Sequence, residues 1–244
     1  MLGFLNAPMG VAYHVVVSLA QLLTPLAGGL ATAAAIVVFT MAVRLLLSPL
    51  SYHAFRGQAG MSALQPKVAE LRKRFASQPE RLQRELTALY QAEGGTMLAG
   101  CLPLLLQLPF FSIMYRLFLS KTVNGSGNWL LTRDLLTTPL GSHWLTGAGP
   151  ASTQGLLFLA LFALLAGIGF LTARVTRAAS PAVAAAPGQP AGLGVLSRIV
   201  PYTTVVIAAF VPLAAGIYLL TTTGWTAAER AVFRWRAKQA GEAR

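Results

Sequence analysis

The chain has 244 residues, 55% of them hydrophobic and 11% charged, with a net charge of +12 and a mean hydropathy of +0.61. Soluble domains carry about 25% charged residues, so this composition excludes an ordinary water-soluble globule and points to a lipid bilayer. Cys101 is the single cysteine and His14, His53 and His143 are scattered, which excludes an internal disulfide and leaves no thiol-rich metal site. No HExxH, GxSxG, Walker or GxGxxG pattern stands in a fitting context. Neither an enzyme nor a cofactor or metal site is therefore expected. The basic excess reads as loops held on the cytoplasmic side of a membrane, not as a nucleic-acid surface.

Met1 to Val43 carries no charge. With no basic residue before Arg44, the charged leader of a secretory signal is missing, and the chain is taken as mature from Met1. Pro25 and Gly28-Gly29 divide this stretch. Residues 1–27 are expected to be an extracytoplasmic lead-in, with a helix over Val11–Leu23 lying in the interface because Tyr13, His14, Ser18 and Gln21 interrupt its apolar run. A further span there is the alternative. Residues 28–50 form the first span, since Leu30 to Leu50 is about 21 residues, enough to cross a ~30 Å hydrocarbon core.

Residues 51–97 differ in kind. Arg56, Lys67, Arg72, Lys73, Arg74, Arg81 and Arg84 outnumber Glu70, Glu80, Glu85 and Glu93. Leu64, Val68, Leu71 and Phe75 recur at helical spacing, as do Leu82, Leu86, Leu89 and Tyr90. Ser77-Gln-Pro-Glu80 between them is a turn and a capping-box start. The spacing predicts a helical hairpin, and its basic excess places it in the cytoplasm. Residues 98–119 form a second span containing Pro103 and Pro109, residues 120–153 an extracytoplasmic loop, and residues 154–173 a third span. Arg174 and Arg177 open a flexible cytoplasmic linker, residues 174–196. The basic tail, residues 234–244, must lie on the same side as that linker, so the apolar run between them crosses twice. That gives residues 197–211 and 212–233 as the fourth and fifth spans, turning at Pro212. The expected fold is all-α: five transmembrane helices and a cytoplasmic helical hairpin, with the N-terminus outside and the C-terminus inside.

Arg44 sits within the first span, where a charge costs roughly 2.5–3.5 kcal/mol on insertion scales and faces a polar interior or snorkels to the headgroups. Thr40, Arg44 and Ser48 are four apart and share one helix face, a stripe that favours the polar interior. Gln107 and Tyr115 in the second span, and Tyr218, Thr222 and Trp225 in the last, supply polar faces that could meet it. Among the expected spans Glu229 is the only carboxylate, at a cytoplasmic end. A pump or coupled transporter normally carries a titratable carboxylate in mid-membrane. A fixed, unpaired cation suits transient attraction of an anion instead.

Arg44-Leu-Leu-Leu-Ser-Pro-Leu50, the hairpin from Leu64-Gln-Pro-Lys67 through Ser77-Gln-Pro-Glu-Arg-Leu-Gln-Arg-Glu-Leu86 to Leu89-Tyr90, and Gly100-Cys-Leu-Pro-Leu-Leu-Leu-Gln-Leu-Pro-Phe110 resemble the YidC family of membrane protein insertases. The likeness covers most of the chain in order. It implies five spans around a groove open to the cytoplasm and the lipid and closed to the outside. Arg44 would be the groove's positive centre, Gln107 a wall position, and the hairpin the part that engages an incoming chain. Where family members often carry an aromatic pair, this chain reads Tyr218-Leu219.

These readings converge on an insertase of the bacterial plasma membrane without covalent chemistry. Its groove residues would be Arg44, Thr40, Ser48, Gln107, Tyr115, Tyr218 and Thr222. Its partners would be nascent membrane proteins and the lipid bilayer, with the Sec translocon and the ribosome as candidates. A small anion channel or transporter, which predicts a through-pore, and an assembly factor that binds without inserting are the competing readings.

Overall fold

The computed structural model describes residues 6–92, 112–113, 117–120, 122–123, 126–145, 149–179 and 202–242. The expected second span and most of the 174–196 linker lie outside the described residues. What is described is mostly helical. Helix α1 runs Asn6–Ala27, a 3₁₀ turn follows at Gly28–Leu30, and α2 runs Ala31–Ala63. Helices α3, Gln65–Arg74, and α4, Pro79–Ala92, come next. Beyond them lie strands β1, Thr122–Val123, and β2, Ser126–Gly127, and a short helix α5, Trp129–Thr132. Strands β3, Asp134–Leu135, and β4, Thr138–Pro139, follow. Helices α6, Thr153–Ala179, α7, Thr203–Phe210, and α8, Leu213–Glu242, complete the described chain.

The expected all-α fold is thus modified by two antiparallel two-stranded ladders, Thr122↔Gly127 with Val123↔Ser126, and Asp134↔Pro139 with Leu135↔Thr138. Both fall in the 120–153 stretch, where Gly, Ser, Asn and Thr supply turns and leave too few residues for a helix of useful length.

Three helices run beyond the residues expected to span the membrane. Helix α2 does not end at Leu50. It continues through Pro49 to Ala63, 33 residues in all, because tertiary contacts override the one backbone bond a proline removes. Helix α6 extends past Ala173 to Ala179. Helix α8 is continuous from Leu213 to Glu242, so the basic end of the chain is helical as far as it is described. Around Pro212 the expected break does occur: α7 stops at Phe210 and Val211 is extended. The first N–H groups of α8, which have no partner inside their own helix, donate to loop carbonyls, Leu213 to Ser142 and Ala214 to Leu140, each at 2.9 Å.

Among the described residues, two stretches are long and apolar enough to cross a membrane, Met9–Gly57 and Thr153–Val175. Their outward faces carry large apolar side chains: Leu45 and Leu46 on α2, Leu164, Phe170 and Leu171 on α6, and Val206 and Phe210 on α7 are all exposed. Exposed apolar surface on this scale is what a lipid-facing wall requires and what water penalises. The buried core is concentrated at one end. There Met9, Ala12, Val16 and Ala20 of α1 meet Ala35 and Ile36 of α2, Phe158 and Leu161 of α6, Leu213 and Ala214 of α8, and Leu117, Phe118, Leu130 and Leu140. The small residues let α1 and α2 approach closely, and the Trp129 N–H donates to the Tyr13 hydroxyl at 3.3 Å.

This packing sets directions. The first turns of α2, α6 and α8 all lie at that core, where Gln154 Nε2 donates to the His143 carbonyl and Trp144 stacks near Phe158 and Phe162. At the opposite end Phe233 of α8 meets Tyr52 and Phe55 of α2. Helices α2, α6 and α8 therefore run parallel. Helices α3 and α4 leave from the far end of α2, and Arg81 lies over the Phe75 ring at 5.3 Å across the turn that joins them.

Candidate functional site

Midway between the packed end and the Phe233 end, α2, α6, α7 and α8 line a half-open cavity of about 260 Å³. Helix α2 contributes Arg44. Helix α6 contributes Leu165, Ile168, Gly169 and Thr172, and α7 contributes Thr204. From α8 come Thr222, Thr223, Thr226, Ala227 and Arg230. On α8 the residues 222, 226 and 230 fall four apart, so one face lines the cavity.

Arg44 is the cavity's distinctive member. It is 7% exposed, whereas the two residues that follow it, Leu45 and Leu46, are 64% and 78% exposed. The guanidinium is thus turned inward, and its neighbours are turned out. Among the described residues, its Nε and Nη2 are buried and have no hydrogen-bond partner. Leaving such donors unpaired inside a protein costs about 1–3 kcal/mol or more for a charged group. A wall that keeps them so is held ready for water or for an anionic guest. Several of the threonines donate within their own helix: Thr226 Oγ1 to the Thr222 carbonyl at 2.9 Å and Thr223 Oγ1 to the Leu219 carbonyl at 2.7 Å. That leaves their oxygens with acceptor capacity toward the cavity. A cation beside these neutral acceptors can be hydrated without being neutralised by them.

The residues singled out from sequence distribute unevenly around this cavity. Arg44 and Thr222 line it. Thr40, fully buried, stands one turn toward the packed end and donates to the Ile36 carbonyl at 2.7 Å. Tyr218 is buried as well, its ring 6.1 Å from that of Phe118, and it lies close enough to Arg44 to interact with it electrostatically. Ser48 stands one turn away on the other side and donates to Glu229 Oε1. Glu229, which sequence reasoning set aside as lying at a cytoplasmic end, is thereby brought into the Arg44 neighbourhood, and its charge reaches the guanidinium. Gln107 and Tyr115 lie outside the described residues.

The polar wall positions Thr204, Thr223, Thr226 and Arg230 were not singled out. Spacing from Thr222 points to 226 and 230, but nothing in the sequence pairs α7 with this face. Among the described residues, no group of His, Cys, Asp and Glu is placed to hold a metal ion.

The site can be compared with known proteins. The profile of the 60Kd inner membrane protein family matches residues 22–240. The membrane protein insertase YidC of Helicobacter pylori is 37% identical over 97 residues, 40% of this chain and 18% of that protein. The protein of the same name from Acidiphilium cryptum is 35% identical over 139 residues, 55% of this chain and 23% of its own length. That from Granulibacter bethesdensis is 42% identical over 82 residues, 34% and 14% respectively. The chain thus spans a quarter or less of the length of these relatives.

Proposed function

The chain belongs to the 60Kd inner membrane protein family, that of the YidC insertases, and on that premise we propose that it takes nascent membrane proteins into the Arg44 cavity from the cytoplasm and releases their apolar segments into lipid. The observation that carries the mechanism is the inward guanidinium of Arg44, whose Nε and Nη2 have no hydrogen-bond partner among the described residues, on the wall of a 260 Å³ cavity. A polar or acidic tail entering there exchanges water for threonine oxygens and a cation, which lowers the cost of moving it part-way across. At an effective dielectric near 20, a carboxylate at 4 Å from the guanidinium gains about 4 kcal/mol before desolvation. The guest's apolar segment then partitions into lipid. The membrane potential adds ~2.3 kcal/mol per charge per 100 mV on an acidic tail, so no nucleotide is needed.

The topology we infer has five spans in a bacterial plasma membrane, with the 51–97 hairpin and residues 234–244 in the cytoplasm and residues 1–27 and 120–153 outside. Parallel α2, α6 and α8 support it, because each successive pair needs one return crossing between them. Residues 98–119 and 197–211 are the segments available for that. The packed core around Ile36, Phe118, Leu213 and Tyr218 then closes the cavity on the outer side. This favours insertion over the competing anion channel, which needs an open path. The Sec translocon and the ribosome remain proposed partners.

Depletion of the resident insertase and complementation with variants tests the reading. With a substrate bearing a short acidic outer tail, Arg44→Ala is expected to lower insertion roughly tenfold, the equivalent of 1.4 kcal/mol, and Arg44→Lys to retain most of it. Full insertion by the Ala variant would remove Arg44 from the mechanism.

A further inference from the structure

Glu229 is the single carboxylate among the segments expected to cross the membrane, where such a group is costly and placed for a reason. It is half-buried, and a Ser48 hydroxyl one helical turn from Arg44 donates to its Oε1 at 2.5 Å, the length of a charge-assisted bond. That bond joins α2 to α8 and places the carboxylate on the Arg44 stripe. On α8 it sits at the edge of the cavity-lining face, and Arg230, the next residue, is part of that lining. Among the described residues, the guanidiniums of Arg44 and Arg230 and one carboxylate therefore share the neighbourhood. With Glu229 in place their formal charge is +1, and without it +2.

Resting on the insertase reading above, we propose that Glu229 is a resident counter-charge that sets how acidic a guest must be to be held at Arg44. A guest with one carboxylate competes with Glu229 for the same positive field. A guest with several outweighs it. The Ser48 bond keeps the resident charge beside Arg44 without letting it close on the guanidinium, whose Nε and Nη2 stay unpartnered among the described residues. Glu229 is on this account a specificity-determining residue, acting through Arg44.

The test uses the full chain in a strain depleted of its own insertase, with substrates whose outer tails carry zero, one or three aspartates. Glu229→Gln removes the charge and keeps an acceptor for Ser48. It is expected to raise insertion of the one-aspartate substrate roughly three- to tenfold, within the range of couplings between residues in contact. The three-aspartate substrate should change less, and the zero-aspartate substrate not at all. Glu229→Asp, which keeps the charge, should behave as the parent chain, and in an Arg44→Ala background the gain from Glu229→Gln should vanish. An equal gain for the uncharged tail, a gain that survives loss of Arg44, or no gain would each overturn the proposal. If the unaltered chain inserts none of the substrates above the depleted background, the insertase reading fails and this inference falls with it. Normal insertion with no effect of Glu229→Gln sinks this inference alone.

Discussion

Asn128 is 3% exposed and spends its side chain on the backbone. Its Nδ2 donates to the Leu117 carbonyl at 2.7 Å and the Ser120 carbonyl at 3.0 Å, and its Oδ1 accepts from the Leu130 N–H at 3.2 Å. Three backbone groups that no helix or strand satisfies are thereby paired. Asn128→Ala would leave them buried and unmet, and we expect a loss of about 2–3 kcal/mol, read as a lower thermal unfolding midpoint in detergent; an unchanged midpoint would mean that water replaces the amide. The same residue scale shows where sequence reading stops. Asn128 is one of several polar residues in a turn-rich stretch, and nothing local marks it as buried. Arg44 is different, because an arginine amid leucines is conspicuous by cost alone. Glu229 was visible but placed by position in the chain. Only the fold brings it beside Ser48.

Helices α2 and α8 have 33 and 30 residues, about 50 and 45 Å at 1.5 Å per residue, longer than a ~30 Å hydrocarbon core needs. Their surplus is paired: the Phe233 ring lies 5.2 Å from Tyr52 and 5.5 Å from Phe55. Edge-to-face contacts of this kind hold the two helix ends together. Phe233→Ala is expected to cost ~1–2 kcal/mol and to speed tryptic cleavage after Arg234 and Arg236. Cleavage at the parent rate would show that the extensions are held by something else. From sequence, the first of these extensions falls in the expected hairpin, residues 51–97, and the end of the second in the basic tail, residues 234–244, because charge was used to assign the side of the membrane. Charge marks where a helix leaves the apolar layer, and the helix itself continues while its other face finds partners.

At the scale of the whole molecule, the apolar surface is the feature that separates a membrane protein from a soluble one of the same length. Leu164, near the middle of α6, is 56% exposed. On a soluble protein, replacing it with arginine would change stability by within about 0.5 kcal/mol. In a bilayer the same change is expected to cost roughly 2.5–3.5 kcal/mol. The measurement is the folded fraction of Leu164→Arg in lipid vesicles, and a neutral result would contradict a lipid-facing α6.

Composition and run length alone determined that the chain belongs in a bilayer as a set of helices. Arg44 alone announced a polar interior, since the free energy of placing apolar and charged groups depends on the groups themselves and little on the path of the chain. The segments quoted at Arg44, the hairpin and Gly100–Phe110 were enough to indicate the family. What surrounds Arg44 was decided by tertiary structure: Thr204 of α7, Thr172 of α6, Arg230 and Glu229 meet there because parallel α2, α6 and α8 pack around one core, with the first turn of α8 held by the Leu140 and Ser142 carbonyls. Those contacts join residues far apart in sequence, and helical spacing carries no information about which faces will be paired.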